Sequence, residues 1–179
     1  VTVTVNVVPM PIVGDSVLCI GASDTFSTSP AGGLCASSST VRATVGLTTG
    51  IVTGVSPGTV LISYTTSSGC RNTKIVTINE TPQDITGSLL LCQGSTSTLT
   101  NLVPFGVWIS SNTSVGIISG SGIIAGVASG TSIVTYALSN GCYRTAIVTV
   151  NPLPTSLSGP TTLCVGNSAT YTGTPTGGT

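Results

Sequence analysis

The chain contains no histidine and very little charge, and these shortages exclude several kinds of partner. Its 179 residues include four basic and four acidic side chains, so charged residues make up 4% of the total, where an average soluble protein has about 25%. Nucleic acid and anionic membrane surfaces are held by clusters of lysine and arginine, which are missing here. No apolar run reaches the ~18 residues that a membrane-spanning helix needs. We therefore expect no nucleic-acid partner and no membrane insertion.

Without histidine the sequence also offers little for catalysis, and we expect no enzyme, no cofactor and no metal site. The usual catalytic triads and most zinc sites use histidine. The four acids do not recur from one part of the chain to the next, and we expect them to be solvated loop carboxylates. The alternative is a weak calcium site at a repeat junction, for which a pair of carboxylates supplies few of the several oxygen ligands that calcium needs. We expect Arg71 and Arg144 to pair with backbone or a linker acid. The acids are Asp15, Asp24, Glu80 and Asp84.

What the sequence does contain is β-strand signal. Helical periodicity is absent, and short runs rich in Val, Ile and Thr alternate with Gly, Pro, Asn and Ser, a pattern typical of β-sandwiches and barrels. We predict an all-β fold. The clearest predicted strands cover residues 1–5, 60–65, 74–78, 97–100, 107–110, 132–138 and 145–150.

The strands belong to an internal repeat of about 72 residues. The motif "LC-x-G" contains Cys19, Cys92 and Cys164, which lie 73 and 72 residues apart, and "GC" contains Cys70 and Cys142, 72 apart. A repeat held in register at several landmarks indicates tandem structural units. We predict the last strand of a preceding repeat at 1–8, a first repeat at 9–79, a second repeat at 80–151 and a partial repeat at 152–179.

These boundaries favour a section of a longer repeat protein. The alternative is that the chain ends are natural and that the orphan strand completes the sheet of a partner by strand addition.

The second repeat carries a motif that resembles the bacterial immunoglobulin-like domains of group 2. The motif reads W-x-S-S-N-x-S-V, then G-x-x-x-G-V-x-x-G-T, then a closing V-T-V strand. The first repeat keeps the glycines but has Cys35 where tryptophan is expected. The matching residues of the second repeat are Trp108, Ser110, Ser111, Asn112, Ser114, Val115, Gly122, Gly126, Val127, Gly130, Thr131, Val148, Thr149 and Val150.

The resemblance implies tandem immunoglobulin-like β-sandwiches of the kind found in large adhesins and in the surface proteins of gliding bacteria, including those exported by the type IX route. It implies a non-catalytic structural repeat region of an extracellular surface stalk or filament, with further repeats or filament subunits as partners. Two alternatives remain open: an adhesion module that binds a glycan or a protein, and accessory repeats of a secreted enzyme. In all three cases we expect a cell-surface or secreted location.

Six cysteines in such a chain indicate an oxidising compartment. The repeat pattern predicts one disulfide within each full repeat, Cys19–Cys70 and Cys92–Cys142. Each would close a loop of about 50 residues and contribute about 4 kcal/mol in the chain-entropy model. The alternative is that all the cysteines are reduced and buried.

Cys35 and Cys164 are predicted to have no partner within the 179 residues, and the repeat pattern pairs Cys164 with a later residue of its own repeat. We expect Cys35 to be a buried thiol, with a cross-link between molecules as the alternative. In the facing strand Phe26 stands where the second repeat has Leu99, and we expect the larger ring to compensate for the missing tryptophan.

The sequence also suggests sites of modification and of association. Ser16, Asn79 and Asn112 lie in candidate glycosylation motifs. In the last strand of each repeat, alternation places Ile75 and Ile147 outward if their neighbours face the core. An outward apolar residue in every repeat favours lateral packing of repeats into a fibre.

Overall fold

A computed structural model describes residues 2–154 and 156–174, and the regular secondary structure of this part of the chain is entirely β-strand. This confirms the predicted all-β fold. The strands of the first repeat are β1 (Val17–Cys19), β2 (Ser23–Thr25), β3 (Leu34–Ser37), β4 (Ala43–Val45), β5 (Ile51–Gly54), β6 (Gly58–Thr65) and β7 (Arg71–Asn79). Those of the second repeat are β8 (Leu90–Cys92), β9 (Thr96–Thr98), β10 (Val107–Ser110), β11 (Gly116–Ile118), β12 (Ile123–Gly126), β13 (Gly130–Ala137) and β14 (Tyr143–Asn151).

Each repeat forms a four-stranded and a three-stranded sheet with the same strand order. In the first repeat the orders are β1-β7-β6-β3 and β2-β5-β4, and in the second they are β8-β14-β13-β10 and β9-β12-β11. The first strand of each repeat runs parallel to the last, while the other pairs are antiparallel. These are tandem immunoglobulin-like sandwiches, as the repeat motif predicted.

The described residues form two compact units. The first contains the residues up to Thr81 together with the turn Leu138–Cys142, and the second contains Pro82–Ala137 and the described residues from Tyr143 onward. A turn that the sequence assigns to the second repeat therefore belongs to the first unit. The inner faces of both sheets of the first unit meet in one core.

The last strand of each repeat shows why the alternating pattern folds as it does. Val76 and Val148 are fully buried, whereas Ile75 and Ile147 are 65% and 62% exposed. Burying one such Val or Ile side chain contributes about 1.5–3 kcal/mol, which fixes the face that turns inward. The predicted outward position of the two isoleucines is confirmed, and their role in lateral packing remains a prediction.

A tyrosine on the longest hairpin ties down a loop in both repeats. The Tyr64 hydroxyl donates to the Pro30 carbonyl (2.7 Å) and accepts from the Gly33 N–H (2.6 Å). Tyr136 makes the same two bonds, to the Val103 carbonyl (2.7 Å) and from the Gly106 N–H (2.8 Å). A buried hydroxyl is tolerated when it is hydrogen-bonded, so the sequence repeat is also a repeat of specific contacts.

The strand predicted at residues 1–5 is assigned to a preceding repeat, and that assignment remains a prediction. Residues 2–8 form no strand, and Val3 and Val5 are 81% and 90% exposed. Strand propensity reflects packing on a sheet rather than a backbone preference, and no neighbouring strand among the described residues pairs with this segment. At the other end, β15 (Ser156–Ser158) and β16 (Thr172–Thr174) form a two-stranded sheet with exposed side chains.

Candidate linkage site at the cysteines

The two motif cysteines of the first repeat lie at opposite ends of its last strand. β1 runs parallel to β7 and places Cys19 beside Asn79, the final residue of β7. Cys70 immediately precedes Arg71, where β7 begins. A strand of nine residues spans about 30 Å at ~3.3 Å per residue, so the two thiols are far apart.

The structure therefore corrects the predicted disulfides. A disulfide requires Cα atoms about 4.4–6.8 Å apart, which the length of β7 rules out for Cys19 and Cys70. In the second repeat Cys92 lies beside Asn151, and β14, also nine residues long, begins directly after Cys142. The same separation rules out Cys92–Cys142.

Instead, Cys19 is bonded to Cys142, with an S–S distance of 2.04 Å and Cα atoms 5.7 Å apart. This bond joins the end of β1 to the turn between β13 and β14, so it crosses the sequence boundary between the two repeats. Both cysteines lie within the first compact unit, and the Cys142 side chain is completely buried.

Two asparagines hold this turn in place beside the disulfide. The Asn79 amide donates to the Asn140 carbonyl (3.2 Å), and the Asn140 amide donates to the Glu80 carbonyl (3.1 Å). Within the turn, the Cys142 N–H donates to the Asn140 side-chain oxygen (2.9 Å), and Gly141 adopts a φ of 87°. A positive φ of this kind is accessible to glycine without strain, which explains the "NGC" sequence.

Four further cysteines are free thiols within the described part of the chain. Cys92 and Cys164 are exposed, Cys70 is half-buried and Cys35 is buried. Burial raises the pKa of the Cys35 thiol, and a raised pKa lowers the fraction of reactive thiolate. The free thiols that solvent can reach are thus those of the repeat motifs, Cys70, Cys92 and Cys164.

Cys35 leaves a cleft in the core of the first unit. Trp108, its counterpart, packs against Tyr136 with ring centroids 4.6 Å apart. In the first repeat a cleft of about 310 Å³ lies between Cys35, Phe26 and Tyr64. The expected compensation by Phe26 is therefore incomplete, because its ring lines the cleft without filling it.

Two of the four acidic side chains, those of Asp24 and Asp84, make local contacts. The Asp24 carboxylate accepts from the Asp15 and Thr25 N–H groups (2.7 and 2.8 Å). Arg144 pairs with the linker residue Asp84 at 3.1 Å, as predicted. In the described ranges, no three side chains of the His, Cys, Asp and Glu types are placed to hold a metal ion.

The candidate glycosylation residues lie apart from one another. Ser16 and Asn112 are exposed, and the Asn112 side-chain oxygen accepts from the Ser114 N–H (3.1 Å). Asn79 is half-buried and its amide is committed to the turn at Cys142. A glycan on that nitrogen would compete with this contact, so the structure favours Ser16 and Asn112 as acceptors, and all three remain predictions.

Comparison with known proteins identifies the fold. No family model matches the chain, and no curated protein matches it. The chain is similar to the C-terminal 282-residue fragment of intimin, crystallised in complex with the intimin-binding domain of the translocated intimin receptor. The two share 15% identity with a TM-score of 0.50, over 83% of this chain and 67% of that one. At this identity the likeness shows the fold alone, a bacterial immunoglobulin-like sandwich.

Two further structures are similar at lower scores. The S-layer protein rSbsC(31-844) is 18% identical over 77% of this chain and 25% of its own length, with a TM-score of 0.31. Drosophila N-cadherin EC1-4 is 12% identical over 82% of this chain and 49% of its own, with a TM-score of 0.36. The chain thus spans a quarter and about half of these two proteins. No helix in the described residues is long and apolar enough to cross a membrane.

Proposed function

We propose that the chain is a structural repeat region of an extracellular surface stalk or filament and has no catalytic role. In this proposal the first and second repeats, 9–79 and 80–151, are consecutive modules of the group 2 immunoglobulin-like type in an adhesin-like surface protein. Their partners are neighbouring repeats and the protein surfaces that the stalk contacts.

The observation that carries the proposal is the disulfide between Cys19 and Cys142. A disulfide is stable in an oxidising extracellular compartment. Because it crosses the sequence boundary between the repeats, it limits how far the chain can be extended between its ends. A surface stalk under tension has to resist such extension.

The fold supports a mechanical role in a second way. The first and last strands of each sandwich are parallel neighbours, β1 with β7 and β8 with β14. When the disulfide is reduced, pulling the two ends of a repeat apart therefore shears several backbone hydrogen bonds together.

Force spectroscopy of single molecules tests this proposal. The chain is held by peptide tags at its two ends and pulled first in oxidising buffer and then in dithiothreitol. The bond bypasses 123 residues, which correspond to about 440 Å of contour length at ~3.6 Å per residue. We expect the intact chain to release about 440 Å less length than the reduced chain.

The variant Cys142→Ser is the control, since it should release the full length in either buffer. The mechanical proposal is wrong if the oxidised wild-type chain extends as far as the reduced one, or if it yields at forces no higher than the variant.

A further inference from the structure

We propose that Cys92 and Cys70 are the two halves of a second linkage of the same kind, and that Cys92 of one copy of this chain forms a disulfide with Cys70 of another copy. This inference deepens the structural role proposed above and rests on it. It concerns cysteines that the bond between Cys19 and Cys142 does not use, so the two proposals can fail separately.

The backbone around Cys92 is built like that around Cys19. Cys92 ends its strand beside Asn151, as Cys19 ends its strand beside Asn79. The residues that follow make equivalent hydrogen bonds in the two repeats, so the strand end that receives a partner thiol is already formed at Cys92. These bonds are Ile20 N–H to Asn79 O (3.0 Å) and Gln93 N–H to Asn151 O (2.9 Å), then Gly21 N–H to Gly54 O (2.9 Å) and Gly94 N–H to Gly126 O (2.8 Å).

The turn at Cys70 is built like the turn at Cys142. The N–H of Thr66 donates to the Cys70 carbonyl (2.9 Å), as that of Leu138 donates to the Cys142 carbonyl (2.9 Å). Gly69 has a φ of 83°, close to the 87° of Gly141. The turn therefore presents Cys70 in the conformation that Cys142 adopts when bonded.

The two disulfide-bonded cysteines are more buried than the free cysteines at the equivalent positions. Cys142 is completely buried and Cys19 half-buried, whereas Cys70 is half-buried and Cys92 exposed. Each unused thiol is more accessible than its bonded counterpart. This is the difference expected if the surface that covers the bonded pair is supplied by the partner.

One of the two asparagine hydrogen bonds at the Cys142 turn can also form at the proposed Cys92–Cys70 bond. The Asn79 amide donates to a backbone carbonyl of the bonded turn, and a backbone carbonyl is present whatever the residue. Asn151, the equivalent of Asn79, can therefore donate to the Ser68 carbonyl of the partner copy. Ser68 replaces Asn140 and cannot provide the second amide contact. The linkage through Cys70 therefore lacks one of the hydrogen bonds at Cys142.

The chemistry is a thiol–disulfide exchange with a low-molecular-weight disulfide such as glutathione disulfide. The Cys92 thiol loses its proton and attacks this disulfide, releasing one small thiolate and forming a mixed disulfide. The deprotonated Cys70 of the second copy then displaces the remaining small thiolate. The two protein thiols give up two protons and two electrons, and one small disulfide becomes two small thiols.

Each copy carries one Cys92 and one Cys70, so two copies can be joined by one bond or by two reciprocal bonds in a two-fold symmetric dimer. Where the reciprocal bond does not form, repeated linkage produces an open chain of copies. In such an open chain the same two cysteines would lengthen the proposed stalk covalently.

The test uses the whole chain and two single variants, Cys92→Ser and Cys70→Ser, in a glutathione redox buffer. We expect the wild-type chain to give disulfide-linked dimers and a ladder of longer oligomers on a non-reducing gel. Each variant alone lacks one half and should remain monomeric, while an equal mixture of the two should form dimers and stop there. Mass spectrometry of unreduced peptides should identify the Cys92–Cys70 bond in both the ladder and the dimer.

Cys164 provides an internal control, because it is an equally exposed thiol of the same motif outside any strand. Random oxidation would join Cys164 and Cys92 in all combinations. The proposal is overturned if those combinations dominate, if either variant alone cross-links as much as the mixture, or if the wild-type chain stays monomeric. The presence of Cys19–Cys142 peptides in every sample shows that each variant has folded.

Discussion

Replacing Cys19 with serine should lower the free energy of unfolding of the first unit by about 2–5 kcal/mol. The bond closes a loop of 123 residues, for which the chain-entropy model gives about 5 kcal/mol. The variant also leaves Cys142 buried without its partner. Hydrogen exchange followed by mass spectrometry measures the change directly, through the protection of peptides from β6 and β7.

The matched control is Cys92→Ser, at the equivalent position of the second repeat. Cys92 is exposed and unbonded, so its replacement should change the stability of the monomer by less than about 0.5 kcal/mol. Equal losses in the two variants would show that the motif cysteine stabilises its own sandwich and that the linkage contributes nothing.

Replacing Trp108 with alanine should destabilise the second unit by about 3 kcal/mol, the lower end of the range for large aromatic residues, because the indole is only half-buried. The ring packs against Tyr136 and covers the backbone at Gly122, where an added Cβ would lie 3.1 Å from the indole nitrogen. Protection of β13 and β14 against hydrogen exchange reports the loss.

The equivalent change in the first repeat, Cys35→Ala, serves as the control. It removes a small group that already borders a cleft of about 310 Å³, and we expect a loss of no more than about 1 kcal/mol. A loss comparable to that of Trp108→Ala would mean that Cys35 takes over the packing role of the tryptophan and that the cleft is closed in solution.

The fold was predictable because its signals are local. Alternation in the last strand, with Val76 inward and Ile75 outward, follows from the two-residue period of a strand, and the 72-residue spacing carries the pattern into the second repeat. Residues 2–5 form no strand here, because a sequence with high β-propensity still needs a neighbouring strand to pair with.

The disulfide pairing was not predictable from the repeat alone. The two motif cysteines of the first repeat, Cys19 and Cys70, recur one repeat later as Cys92 and Cys142. This recurrence is compatible with disulfides inside a repeat and with disulfides between consecutive repeats. The choice depends on which end of β7 lies beside β1, and that is a property of the sheet. One signal was present: nine strand residues separate Cys70 from the end of β7, so a parallel first strand ending beside Asn79 excludes the pairing within the repeat.

The cleft at Cys35 was also beyond the sequence. Phe26 and Leu99 suggested that volume is conserved between the repeats, but the direction in which each ring points depends on the backbone around it. Because Gly14 has no side chain, the Phe26 ring packs against its backbone, where an added Cβ would lie 2.4 Å from the ring.

The most direct test of the account is a disulfide map of the unreduced chain. The protein is treated with a thiol-blocking reagent, digested without reduction, and its linked peptides are identified by mass spectrometry. We expect one intramolecular linked pair, containing Cys19 and Cys142, with Cys70 and Cys92 recovered as blocked thiols from the monomer. Linked peptides containing Cys19 with Cys70, and Cys92 with Cys142, would contradict this expectation, because each sandwich would then be closed on itself.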